Sequence, residues 1–342
     1  MPASKSNSPV IYLLILVVVN LFGLVLQEAD LRLDFAQLNI LVIFSFLLYE
    51  VYKGIIVRRE NRIIKYALGK YINEEILKEI LKDPDRVKLG GELKHMTVIF
   101  SDVRDFSVIS EDIKPEELVS LTNEYLEQMS EVIFKHNGTI DKFFGDAIVA
   151  FWNAPLANDR HQLDAIRCAL EMQRKLYEFN AKVPKEMQFQ MGIGINTGEM
   201  VVGNVGSQRR YQYTVLGDSV NLASRLESLT KKYRVKIILT DLVLRGIKLP
   251  KDIIIRQLDE VIVRGKTAPA KIYQPMYRTP ETIALKQQYE KALQYYQQGD
   301  FRSAGKIFSQ IKGDYPSKLL NSRLERLVTK KDWQGIWQWQ QK

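Results

Sequence analysis

The sequence predicts an α+β fold for the middle of this 342-residue chain. Between Leu93 and Met276, short apolar strands alternate with amphipathic helices. Turn residues such as Asn137-Gly138, Gly145-Asp146 and Gly265 separate them. On either side, the pattern changes to long apolar or helical runs without strand signals.

Composition is ordinary for a folded protein, with 46% hydrophobic and 26% charged residues. Much of the net charge of +9 sits in Lys53–Lys70, just after an apolar run, and in scattered loops. It points to membrane headgroups and nucleotide phosphates rather than to nucleic acid. A single cysteine, Cys168, excludes a disulfide framework or a cysteine-based metal site within one chain.

Two apolar runs, 10–26 and 37–57, are each long enough to be read as spanning helices. Residues 1–57 are therefore predicted as a membrane anchor. Arg58, Arg59, Arg62, Lys65 and Lys70 follow the second run, which places the rest of the chain on the cytoplasmic side of the plasma membrane. Residues 58–92 read as a linker, helical through 82, that is either a transducer or a passive tether. Asp83-Pro84 ends the helix, because proline disfavours helical backbone in the residue before it.

Within 93–278, a strand over Lys94–Val103 leads to a helix over Lys114–His136 with Pro115 in its first turn. Thr139–Trp152 reads as a hairpin turning at Gly145-Asp146. A helix covers Asp159–Phe179. Strands are predicted over Phe189–Asn196 and Met200–Val205, with Thr197-Gly198-Glu199 as a turn between them. A helix over Ser219–Lys231, a strand over Val235–Thr240 and a final pair, Leu258–Val263 with Lys271–Met276, complete the set. This order fits a ferredoxin-like core with additions. Residues 281–342 read as helical. Ala292, Gly299, Ala304, Phe308 and Pro316 are spaced like one tetratricopeptide repeat, which either packs on the preceding domain or meets a protein partner.

Three blocks carry chemistry. Thr97–Phe106 reads T-V-I-F-S-D-V-R-D-F and Asp141–Trp152 reads D-K-F-F-G-D-A-I-V-A-F-W. Each ends or turns on a carboxylate, Asp102 and Asp146. Two carboxylates at neighbouring strand tips suit divalent cations in phosphoryl chemistry. Tyr213–Glu227 reads Y-T-V-L-G-D-S-V-N-L-A-S-R-L-E, with Asn221 and Arg225 on one helix face.

Together, and in this order, the blocks resemble the class III adenylate and guanylate cyclases, in particular bacterial membrane-bound adenylate cyclases with threonine at a purine-selecting position. The resemblance implies that ATP is converted to 3′,5′-cyclic AMP and pyrophosphate. It implies two divalent cations, Mg²⁺ or Mn²⁺, held by Asp102, Asp146 and the Val103 carbonyl. Lys142 and Thr214 would read the purine, since an ammonium donates to adenine N1, whereas guanine N1 needs a carboxylate. Asn221 would orient the ribose, Arg225 would meet charge on the phosphate, and Lys266 in V-R-G-K-T would bind the polyphosphate. Asp105 matches no metal position. The resemblance further implies a homodimer whose two active sites lie at the subunit interface.

Overall fold

A computed structural model of the protein describes residues 12–18, 20–21, 35–69, 89–111, 113–207, 210–328 and 332–339. The chain divides into two compact units, Met1–Leu77 and Lys78–Lys342.

In the first unit, α1 (Phe35–Gly69) is one unbroken helix. The second apolar run and the start of the linker are therefore continuous. The Tyr12 ring packs 4.9 Å from Phe46 and 6.1 Å from Tyr49. Asn20 and Asn39 exchange side-chain amide hydrogen bonds, 3.1 Å in each direction. Among the described residues, no helix is long and apolar enough to cross a membrane. This corrects the prediction of a spanning helix over 37–57, while much of the first predicted run, 10–26, lies outside the described residues. The first run is described only at 12–18 and 20–21, and the second meets Glu50 and Lys53 before it ends. Residues 70–88 of the predicted linker lie outside the described residues.

The second unit is built on β1 (Gly90–Val103), α2 (Phe106–Glu111), α3 (Pro115–Lys135), β2 (Thr139–Phe144), β3 (Ala147–Trp152), α4 (His161–Asn180) and β4 (Met191–Ser207). β5 (Arg210–Leu216), α5 (Asp218–Tyr233), β6 (Ile237–Thr240), the short α6 (Asp241–Leu244), β7 (Ile253–Ile262) and β8 (Ala270–Tyr277) follow. The tail contributes α7 (Pro280–Gln298), α8 (Phe301–Phe308), α9 (Tyr315–Leu327) and β9 (Trp337–Gln338). The sheet order is β2-β3-β1-β4-β6-β8-β7-β9, with β5 paired to β4. The succession β1-α3-β2-β3-α4-β4, with β1 between β3 and β4, is the ferredoxin-like arrangement the sequence predicts.

Side-chain alternation along β1 separates two apolar layers. Ile99, Ile148, Ala150, Trp152, Ile193 and Ile195 meet α3 and α4 on one face. On the other, Met96, Val98, Val149, Phe151 and Val202 meet β5 and the start of α5.

Three elements differ from the sequence expectation. Thr197-Gly198-Glu199 is not a turn, because β4 runs straight through it, with Thr197 opposite Thr97. A Cβ on Gly198 would come within 2.5 Å of Ser219 Oγ, so this glycine admits the start of α5 rather than bending the chain. β5 was not anticipated as a strand, although Tyr211, Tyr213 and Val215 alternate with Gln212 and Thr214 along it. The end of the tail is not helix: Trp337 and Gln338 form a parallel strand on Val261 and Ile262.

The tail packs on the domain before it. Tyr289, Ala292, Leu293, Tyr296, Ala304 and Phe308 share one apolar cluster with Leu222, Leu226 and Leu229 of α5 and Leu258 and Val261 of β7. The small residues lie where close packing was expected, but α8 has only eight residues. The tetratricopeptide likeness stops at that spacing.

Candidate active site

The residues singled out by sequence form three groups. In the first, β1 delivers Asp102 and the β2–β3 turn delivers Asp146. Gly145 takes the positive φ of 62° that lets this turn close tightly. The two strand ends are held in register through β3, with Ser101 opposite Ile148. The Val103 amide donates to Asp146 Oδ2 at 3.0 Å, which draws the Asp146 carboxylate to the tip of β1. Burial, reinforced by the negative charge of Asp146, raises the Asp102 carboxyl to about 6. Two carboxylates that repel one another in a partly buried place fit a divalent cation. Among the described residues, no cluster of three or more His, Cys, Asp or Glu side chains could hold a metal ion. Asp102, Asp146 and the Val103 carbonyl would therefore share the cations with phosphate and water oxygens.

Asp105 stays outside this group. It adopts a φ of 54°, its carbonyl accepts from the Val108 and Ile109 amides, and its carboxylate pairs with Lys231 at 2.5 Å. Glu227 is the carboxylate that sequence reasoning missed. It lies on α5, and burial followed by the Asp102 charge raises it to about 7. Two residues past Arg225, it lies on another face of the helix, against Gly192 of β4, and it gave no signal because that strand is far away in sequence.

The second group brings together the two residues expected from the resemblance to read the purine. Lys142 on β2 and Thr214 on β5 are 72 positions apart and hydrogen-bonded, with Lys142 Nζ donating to Thr214 Oγ1 at 3.1 Å. Asp141 joins them, and Thr214 Oγ1 donates to its Oδ2 at 2.9 Å. The ammonium also lies 5.7 Å from the Phe144 ring centroid.

The third group gathers at the start and middle of α5. Asn221 and Arg225 occupy one face, one helical turn apart. Asn221 is exposed and Arg225 half-buried. A Cβ on Gly265 would sit 3.2 Å from Arg225 Nη2, so the guanidinium rests on the turn after β7. Lys266, in the same turn, pairs with Asp218 at the start of α5. Arg225 and Lys266 are thus brought together from sequence positions 41 apart, and both are cations suited to phosphate.

Comparison with known proteins identifies the family. Residues 91–277 match the family described as adenylate and guanylate cyclase catalytic domain. "Adenylate cyclase 1" of Rhizobium meliloti is 36% identical over 224 residues, 65% of this chain and 33% of that protein. "Adenylate cyclase" of Anabaena cylindrica is 37% identical over 200 residues, 56% of this chain and 38% of that protein. The chain thus spans well under half the length of either relative. A solved bacterial light-regulated adenylyl cyclase superposes with a TM-score of 0.55 at 24% identity, covering 67% of this chain and 65% of that one, and shows the same fold. The match over 91–277 takes in every site residue above, and the chain belongs to the adenylate and guanylate cyclase catalytic domain family.

Proposed function

We propose that the chain is an adenylate cyclase that converts ATP into 3′,5′-cyclic AMP and pyrophosphate. The observation that carries this reading is the Lys142–Thr214 pair. It offers an ammonium donor and a hydroxyl oxygen side by side, complementary to adenine N1 and the 6-amino group. The names of the Rhizobium meliloti and Anabaena cylindrica relatives support the same choice.

In the reaction, the ribose 3′-oxygen bonds to the α-phosphorus, the bond from that phosphorus to the α–β bridging oxygen breaks, and pyrophosphate leaves. Two divalent cations, Mg²⁺ or Mn²⁺, bound by Asp102, Asp146 and the Val103 carbonyl would promote ionisation of the 3′-hydroxyl and neutralise polyphosphate charge. Asn221 orients the ribose. Arg225 meets the negative charge that develops on the α-phosphate, and Lys266 holds the departing polyphosphate. Asp218 is the resting partner that Lys266 exchanges for phosphate.

A homodimer with shared sites is part of the proposal. Exposed Phe143, Phe144 and Leu216 beside the purine group supply apolar surface for a second copy. Localisation at the cytoplasmic face of the plasma membrane is proposed from the exposed apolar side chains of Leu13, Leu14, Ile40, Leu41 and Phe44. Recovery of the full chain in a washed membrane fraction would be the expected result.

The test of activity incubates the full-length protein with Mn²⁺ and either ATP or GTP. Cyclic AMP is expected from ATP and should vanish in Asp102→Ala. Product from GTP alone would overturn the purine assignment. Product from neither, with the protein folded, would overturn the enzymatic reading.

A further inference from the structure

We propose that Asp141 is a third purine-specificity residue, which fixes the direction of the Thr214 hydroxyl so that it can only accept a hydrogen bond from the base. The inference rests on the adenylate cyclase reading and extends it.

A threonine hydroxyl has one proton to donate and two lone pairs to accept with. Left to rotate, it serves adenine and guanine equally: it can accept from the adenine 6-amino group or donate to guanine O6. Something must fix the rotor for threonine to discriminate. Here the Thr214 proton goes to Asp141 Oδ2 at 2.9 Å. An ionised carboxylate only accepts, so the direction of this bond is set. One Thr214 lone pair takes a proton from Lys142 Nζ at 3.1 Å. One lone pair remains, and it suits an amino donor. Lys142 Nζ also lies 3.4 Å from Asp141 Oδ2. The pair thereby assigns two of the three ammonium protons and leaves the third for N1 of the base.

The backbone is shaped for this. Neighbouring residues in a regular strand point to opposite faces, so Asp141 and Lys142 should not reach one side chain. The pairing of β2 with β3 shifts between Ile140 and Lys142, and Asp141 is the extra residue of a β-bulge. Bulges re-aim side chains in this way. The Asp141 side chain is 3% exposed, so its direction matters in a low-dielectric setting. Gln212, on β5, holds the carboxylate from the other side. Its Nε2 donates to the Asp141 carbonyl at 3.1 Å and approaches Oδ1 at 3.4 Å.

Two variants test the direction of this bond. Asp141→Ala removes the acceptor and frees the rotor. In Asp141→Asn, Gln212 Nε2 favours an amide oxygen at the Oδ1 position and Lys142 Nζ favours one at the Oδ2 position, so the amide has no single orientation and can donate to Thr214 as well as accept from it. In both variants the Thr214 hydroxyl can offer its proton to guanine O6. The ratio of kcat/KM for ATP to that for GTP should fall by about fivefold or more in each. The same shift should appear in the dissociation constants of α,β-methylene ATP and GTP, measured by calorimetry on the full-length protein. These analogues cannot cyclise, so the binding measurement does not depend on turnover. A ratio within about twofold of wild type in both folded variants, by kinetics and by binding, would overturn the role of Asp141. If instead the wild-type chain itself fails to prefer ATP, the underlying adenylate cyclase reading falls, and that outcome is visible before any variant is made.

Discussion

Asp102 carries two opposed demands. Its carboxyl is raised from 3.8 to about 6 by burial and by Asp146, so folding favours the protonated form. The stability that this group contributes is full below about pH 4 and is lost as pH rises through 6. Cation binding needs the ionised form. Turnover should therefore fall as pH drops below about 6, while the cation-free protein becomes harder to melt. Excess Mg²⁺ should reverse that stability trend above pH 6. A pH–rate profile and melting curves between pH 4 and 7 measure both, and Asp102→Asn should flatten the stability difference. Asp102 and Asp146 were legible in the sequence because strand ends and Gly-Asp turns leave a local signature. Lys142 and Thr214 were legible only through resemblance, since no periodicity links residues 72 apart. Asp141 was not legible as a site residue. A bulge is a property of the pairing between two strands, and D-K-F-F reads the same with or without one.

Helix α5 shows how an element can be set by the strand beneath it. A Cβ on Gly194 would approach the Ala223 carbonyl oxygen to 2.2 Å and the Glu227 amide to 2.3 Å, both backbone atoms that cannot swing aside. The helix carrying Asn221 and Arg225 lies on a glycine-lined part of β4. Gly194→Ala should lift it, lowering stability by about 1–3 kcal/mol by overpacking and reducing kcat more than it affects purine preference. Thermal melting and the ATP-to-GTP ratio distinguish these effects. The sequence reading took Gly198 for a turn because glycine marks turns and close approaches alike, and only the packed helix tells them apart. At its far end, α5 is tied to the tail. Tyr233 donates to Asp259 Oδ2 at 2.6 Å, and Arg323 of α9 reaches the same oxygen at 2.7 Å while stacking 4.1 Å from the Trp337 ring. Asp259 and Arg323 are both buried. Arg323→Ala would leave a buried carboxylate without its cation, a loss of about 3–5 kcal/mol, measurable by urea unfolding. Arg323→Lys should recover only part of it, because ammonium cannot reproduce the stacked guanidinium.

For the molecule as a whole, the proposed dimer makes a sharp prediction. If the carboxylate pair of one subunit works with α5 of the other, Asp102→Ala and Arg225→Ala are each inactive alone. Mixed in equal amounts they should recover about a quarter of wild-type activity, because half of the dimers are mixed and one of their two sites is intact. A cyclic AMP assay on co-expressed variants reads this directly, and no recovery would place the whole site within one subunit. The ferredoxin-like order was legible at this scale because each strand and helix of the core has its own periodic signal. The seat of the tail was not. Its apolar face is plain in the sequence, but whether that face meets a partner or its own domain depends on Leu222, Leu226 and Leu258, far upstream.

The two-residue strand β9 also bears on solubility. It pairs with Val261 and Ile262, at the outer margin of the sheet, and the Trp339 amide donates to the Ile262 carbonyl at 3.3 Å. An uncovered strand is a template on which another chain can extend the ladder. The short strand β9 therefore acts as a stopper on the margin of β7. A protein ending at Gly335 should form thioflavin-positive, elongating aggregates on standing, whereas the full chain should remain dispersed.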